Sequence, residues 1–158
     1  MSDDVVLRTR RSTADDYDAL WDLHVASMRP SVEATWGWDD AFQVDHFRER
    51  FRPGDRDVVE LHGAAVGVFA LTAGPDETFV NLIEVHPDHQ GRGLGTSLLR
   101  LVTRDAYRRG VPIALNVLKA NPRARSLYER LGFEVTEEDE VRYRMVRRAS
   151  SQGSAADQ

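Results

Sequence analysis

The sequence predicts an α+β domain whose central mixed, mostly antiparallel sheet has about seven strands flanked by four helices. Three observations carry that prediction. Short β-rich runs between residues 57 and 85 are separated by glycine and proline turns at hairpin spacing. Residues 93–109 repeat apolar side chains with helical periodicity. An Asn-Pro pair at 121–122 opens a second amphipathic run, which Gly132 closes.

Taken in order, Val5 to Arg10 reads as a short edge strand, and Thr13 with Asp16 resembles a capping box that opens a helix. Tyr17, Leu20, Trp21, His24 and Met28 then follow helical spacing. After Pro30 the segment from Ser31 to Trp38 reads as irregular and aromatic, leading to Asp39 and Asp40 as candidate caps of a helix that carries Val44, Phe47 and Phe51. Pro53-Gly54 breaks that helix. Asp57 to Leu61 and Ala64 to Leu71 are strands joined by a turn at His62-Gly63, and Thr78 to Val85 completes the meander before Pro87 ends it. Leu94, Leu98, Leu101, Val102 and Ala106 share one face of the next helix, which Gly110 and Pro112 stop. Ile113, Leu115 and Val117 alternate as a strand. Asn121 is a helix cap, and Ala124, Leu127, Tyr128 and Leu131 form the stripe that follows it. Phe133 to Thr136 and Val141 to Val146 are the closing strands. Residues 1–148 are thus expected to form one domain, and 149–158, rich in Ser, Ala, Gly and Gln, a disordered tail.

Composition narrows the function. The chain has 158 residues, 41% hydrophobic and 30% charged, the balance of a soluble globular protein with a single substantial core. A formal charge of −5 argues against nucleic-acid binding, and no apolar run is long enough to span a membrane. Met1-Ser2-Asp3-Asp4 lacks the basic, then apolar, pattern of a secretory leader, so a cytoplasmic location is expected. With no cysteine, disulfides, thiolate zinc sites and a cysteine nucleophile are all excluded. His86, Asp88 and His89 look superficially like metal ligands, but they sit in a turn between strand and loop, and no metal site is expected.

The run Gln90-Gly91-Arg92-Gly93-Leu94-Gly95-Thr96 lies between a strand and a strongly periodic helix. Backbone N–H groups at that helix N-terminus, with the helix dipole, favour a bound phosphate. Glycine lets an anion approach the backbone and tolerates positive φ, and Arg92 adds a positive charge. Other phosphate loops fit less well. A P-loop places lysine before Ser or Thr, whereas Leu94-Gly95 precede Thr96 here. A dinucleotide fingerprint has glycine where Thr96 stands and opens a βαβ unit rather than following a meander. A glycine-rich turn without a ligand is the plain alternative.

With Val85-His86-Pro87 before it, the spacing of Gln90, Gly93 and Gly95 resembles the Gln/Arg-x-x-Gly-x-Gly/Ala motif of the GNAT superfamily of acyl-CoA-dependent N-acetyltransferases. The segment Asn121 to Phe133 resembles the same family's Asn-x-x-Ala-x-x-Leu-Tyr-x-x-x-Gly-Phe element. The element order matches over essentially the whole ordered chain. The resemblance implies acetyl transfer from acetyl-CoA, the co-substrate, to an amine. It also implies that Ile83, Glu84 and Val85 lie along pantetheine, that Gln90 to Thr96 bind the diphosphate and that Asn121 bonds the cofactor. A homodimer is possible on the same ground.

Tyr128 matches the family's general-acid tyrosine, beside the cofactor, and a phenol with an ordinary pKa near 10 stays protonated at neutral pH. A packed aromatic on the helix stripe is its bland reading. The base is open, because Asn116 stands where relatives place a glutamate, and an amide cannot take a proton. Glu84 shares a strand face with Val80 and Leu82, where desolvation would make it a better base. A bulge would instead turn it to solvent, and water-mediated deprotonation is a third route. Acceptor choice is expected in the first two helices and the meander, with Glu33, Trp36 and Trp38 as a cationic or aromatic pocket and Asn116 as a further contact. A non-catalytic acyl-CoA-binding module stays open as the alternative to an enzyme.

Overall fold

The computed structural model describes residues 7–90 and 93–149, so residues 1–6, Gly91, Arg92 and residues 150–158 lie outside the described residues, and with them the expected strand start at Val5 and Val6. Strand β1 (Arg8–Arg11) leads through a 3-10 turn into α1 (Tyr17–Trp36) and α2 (Asp40–Arg50). Strands β2 (Asp57–Leu61), β3 (Ala64–Ala73) and β4 (Thr78–Val85) follow, then α3 (Leu94–Arg109), β5 (Ile113–Leu118), α4 (Pro122–Arg130), β6 (Glu134–Glu138) and β7 (Arg142–Arg147). The seven strands form a mixed sheet in the order β1-β2-β3-β4-β5-β7-β6. Strand β2 pairs antiparallel with β1 and β3, and β7 pairs antiparallel with β5 and β6, whereas β4 and β5 run parallel. Among the described residues no helix is long and apolar enough to cross a membrane.

The chain divides into two compact units, one up to Ala70 together with Leu82–Leu94, the other Leu71–Asn81 together with the chain from Gly95 onward. In the first, Leu20 and Leu23 of α1, Phe47 and Phe51 of the α2 region, and Val58 and Val68 of the meander form a buried cluster. Tyr17 meets Phe47 and Phe51 edge-on, at centroid distances of 5.3 and 5.5 Å. The β2–β3 hairpin turns where the sequence places it, because His62 (φ 52) and Gly63 (φ 82) both take the positive φ that a tight two-residue turn requires. In the second unit, Leu98, Leu99, Val102 and Ala106 of α3 are buried, as are Ile113, Leu115, Phe133 and Met145.

Two expectations need correction. Helix α1 does not end at Pro30 but continues to Trp36. Proline costs one backbone donor, yet Ser31 and Val32 beyond it are buried, and Thr35 Oγ1 donates back to the Ser31 carbonyl at 2.6 Å. Gly37, at φ 80, ends the helix instead, its N–H reaching the Glu33 carbonyl. Strand β5 does not alternate either: every position but Asn116 is buried. Lying between β4 and β7, it behaves as an interior strand covered on both faces.

Edge strand β6 is exposed along its whole length and carries Glu134, Glu137 and Glu138. At the opposite edge, Arg10 of β1 donates two hydrogen bonds of 2.7 Å to the Asp16 carboxylate, while the Thr13 N–H donates a third, closing the anticipated capping contact. Hydrogen bonding from Arg10 holds the Asp16 carboxyl well below its ordinary 3.8, at about 2. A depressed carboxyl stabilises the fold above its unfolded pKa and loses that contribution as pH falls through the folded one. Asp16→Asn is therefore expected to cost about 1.5–3 kcal/mol near neutrality, the worth of a charged hydrogen bond. The difference from wild type should shrink between about pH 4 and pH 2, as read by denaturant titrations across that range.

Candidate active site

On the inward face of β4, Thr78, Val80 and Glu84 are buried. Glu84 is thus turned in rather than out, and its side chain is only 4% exposed. A carboxylate so placed needs a donor. His24 of α1 lies against it, with Nδ1 2.7 Å from Glu84 Oε2 and a side chain 21% exposed, and it is a donor to that oxygen in the Nδ1–H tautomer. Three aromatic rings surround the imidazole: Trp21 at 6.0 Å, Trp38 at 6.4 Å and Phe47 at 5.6 Å between centroids. The sequence marks His24 only as one member of the α1 stripe; an imidazole on a buried helical face with an acid on an inward strand position was the available signal.

The same unit holds a cavity of about 580 Å³ lined by Trp36, Gly37, Trp38, Asp39, Phe42 and Gln43. Trp36 and Phe42 are more than half exposed, at 55% and 60%. Asp39 caps α2 by accepting from the Phe42 N–H at 2.9 Å, and Asp40 accepts from Trp38 Nε1 at 2.7 Å. Trp36 and Trp38 are therefore brought together, whereas Glu33 lies outside the lining and pairs with Arg29 at 3.5 Å. Arg29 also lies 5.3 Å over the Trp38 ring.

The ladder between β4 and β5 covers only Thr78 with Ile113 and Phe79 with Ala114. Among the described residues that ladder does not continue from Val80 to Val85, the stretch on which Ile83, Glu84 and Val85 lie. The strand then enters a 3-10 turn, Pro87–His89, in which the His86 imidazole accepts from the Asp88 N–H at 3.2 Å. Among the described residues no group of three or more His, Cys, Asp or Glu could hold a metal ion. Gln90 donates from Nε2 to the Val85 carbonyl at 3.0 Å, tying the loop back to the strand end. Gly93 adopts φ 79 immediately before α3 begins at Leu94. Gly91 and Arg92 lie outside the described residues.

The glycines serve different ends. Gly93 is required by its backbone angle. At Gly95 a Cβ would stand 3.0 Å from Leu127 Cδ2, so this position keeps α3 close to α4. Asn121 caps α4, its Oδ1 accepting from the Ala124 N–H at 3.2 Å, which commits the oxygen and not the amide nitrogen. Tyr128 is buried on the α4 stripe and packs on Phe133 at 5.8 Å. Asn116 is the exposed position of β5.

The sequence matches the family described as Acetyltransferase (GNAT) over residues 17–133. It is 34% identical over 97 residues to the mycothiol acetyltransferase of Streptomyces coelicolor, a match covering 60% of this chain and 31% of that protein. The chain thus spans less than a third of that curated relative's length. In fold it is similar to the PaiA N-acetyltransferase of Thermoplasma acidophilum in complex with coenzyme A (TM-score 0.75, 14% identity, 90% of this chain and 99% of that one). It is likewise similar to an acetyltransferase of Thermus thermophilus (TM-score 0.70, 24% identity, 90% and 97%).

Burial pushes the Tyr128 phenol up from 10.0 to about 12. A folded pKa above the unfolded one means that the contribution to stability is intact below the unfolded pKa and is lost as pH rises through the folded one. Between about pH 10 and 12 the wild type should therefore lose roughly 2–3 kcal/mol relative to Tyr128→Phe, measured by urea unfolding across that interval.

Proposed function

The chain belongs to the acetyltransferase (GNAT) family, and on that premise we propose that it transfers an acetyl group from acetyl-CoA to a primary amine, the nitrogen attacking the thioester carbonyl directly. Acetyl-CoA supplies the activated acyl group. The observation that carries the reading is the backbone edge of β4 from Val80 to Val85, along which the β5 ladder does not continue among the described residues and after which a 3-10 turn and Gly93 lead to α3. An extended amide-bearing chain such as pantetheine binds an edge of this kind as an added strand would, and Ile83, Glu84 and Val85 are the residues in reach of it.

The turn after β4 supports the diphosphate. First-turn amides of a helix have no intrahelical acceptor, and the dipole adds positive potential there. Gln90, Gly93, Leu94, Gly95 and Thr96 are the described residues assigned to this cradle, with Gly93 at positive φ; Gly91 and Arg92, expected there from the sequence, lie outside the described residues. The Asn121 amide nitrogen, left over from capping, donates to the cofactor. These donors fit an anionic, phosphate-bearing ligand.

Tyr128 is the general acid. At about 12 its phenol is a far weaker acid than a thiol near 8.5, so it does not protonate sulfur before the C–S bond stretches. As the C–S bond breaks it gives its proton to the sulfur, and it regains one from the attacking nitrogen. One of the two protons shed by the nitrogen ends on the departing thiol, and the other leaves through a base on the Glu84 side. The acceptor enters at the α1–α2 cavity, where Trp36, Trp38 and Phe42 suit a cationic or apolar amine. Glu33 acts there through its pair with Arg29, and Asn116 is an exposed amide available to the acceptor.

Incubated with acetyl-CoA and a panel of spermidine, lysine, kanamycin and a peptide with a free amino terminus, the full chain should release free thiol and form an acetylated amine. Tyr128→Phe should lower turnover roughly 10²-fold or more while calorimetric affinity for coenzyme A stays within about twofold. Gly93→Ala should weaken coenzyme A binding, because its backbone angle strains an alanine by about 1–2 kcal/mol. Binding of coenzyme A with no product from any amine would make the chain an acyl-CoA-binding module instead. Undiminished turnover in Tyr128→Phe would remove the tyrosine from the reaction.

A further inference from the structure

We propose that His24 is the group that deprotonates the acceptor amine, and that Glu84 is its positioning residue rather than the base itself. The inference rests on the transferase reading above and names the proton path of that same site.

The first ground is the direction of the pair. Glu84 is the inner member, with its side chain 4% exposed, and His24 the outer one, at 21%. A group that exchanges a proton with an incoming amine must be reached by it, and of the two only the imidazole is partly open. The second is hydrogen-bond arithmetic. An ionised carboxylate can only accept, so the 2.7 Å contact requires a proton on His24 Nδ1. In the neutral ring that proton leaves Nε2 as the bare, basic nitrogen. A carboxylate behind Nδ1 also stabilises the imidazolium that forms once Nε2 accepts a proton, without any group having to move.

The third ground is position. The Trp38 ring lies 6.4 Å from the imidazole and lines the cavity assigned to the acceptor. Trp21 and Phe47 close around the remaining sides of the ring at 6.0 and 5.6 Å. Glu84 is the one charged group hydrogen-bonded to His24 among the described residues. The proton balance is complete: an alkylammonium gives its first proton to His24 Nε2 and becomes a nucleophile. After attack the same nitrogen loses its second proton as the C–S bond breaks, and the thiol carries that one away.

The test has a spectroscopic arm that needs no acceptor and a kinetic arm that does. In the full chain labelled with 15N-histidine, one of the five histidines should show the Nδ1–H tautomer; its signals should vanish in His24→Gln, and Glu84→Gln should shift the tautomer balance toward Nε2–H. His24→Gln keeps a donor for Glu84 and so preserves the fold, which coenzyme A calorimetry will verify. Its turnover on the amine panel should fall about 10²-fold or more, with coenzyme A affinity within about twofold. His24→Gly should regain part of the lost turnover when imidazole is added. Turnover of His24→Gln within about twofold of wild type, or an Nε2–H tautomer in the wild type, overturns the assignment of His24 alone. A wild type that acetylates none of the amines overturns the transferase reading and this inference with it.

Discussion

A carboxylate cannot stay ionised inside an apolar layer unless something donates to it, and Glu84 is the place where this fold meets that requirement. The donor comes from His24, so α1 must lie over β4 with one turn of its helix opposite one residue of the strand. That single contact explains much of the surrounding sequence. Trp21, Phe47 and Trp38 come from three parts of the chain and converge on the imidazole. Leu20 and Leu23, in the helical turn before His24, are buried in the core of this unit. Removing either partner would leave a buried polar group unmatched, which costs about 1–3 kcal/mol or more when the group is charged.

The backbone framework was largely legible in the residues. Strands β2 and β4 begin and end where the turn chemistry places them, and Asp39 and Asn121 cap their helices as their residue types suggest. These features are local, set by a side chain and its next few neighbours. The misreadings arose where distant packing overrides local preference. Pro30 reads as a helix stop, yet burial of Ser31 and Val32 carries α1 onward to Gly37. β5 reads as alternating from three apolar positions, while its place in the middle of the sheet buries both faces.

The candidate site divides along the same line. The glycine loop and the Asn121-to-Phe133 segment are readable as motifs because each lies in contiguous residues. The inward orientation of Glu84 could not be fixed from sequence, since a one-residue bulge would reverse it. His24 stands sixty positions from its partner and inside an ordinary helical stripe, where nothing local separates a packed imidazole from a reactive one. Gly95 gives the converse lesson: a residue that reads as part of an anion cradle is also constrained by a leucine on the neighbouring helix.

Strand β6 closes the sheet at one margin with every residue open to water and three glutamates along five positions. Unpaired strand margins are sticky, because their bare amides and carbonyls template fibre growth. Glu134 and Glu137, beside the Glu138–Lys119 pair, put a charge on each turn of the pleat where a second strand would have to be added, so electrostatics guards this margin.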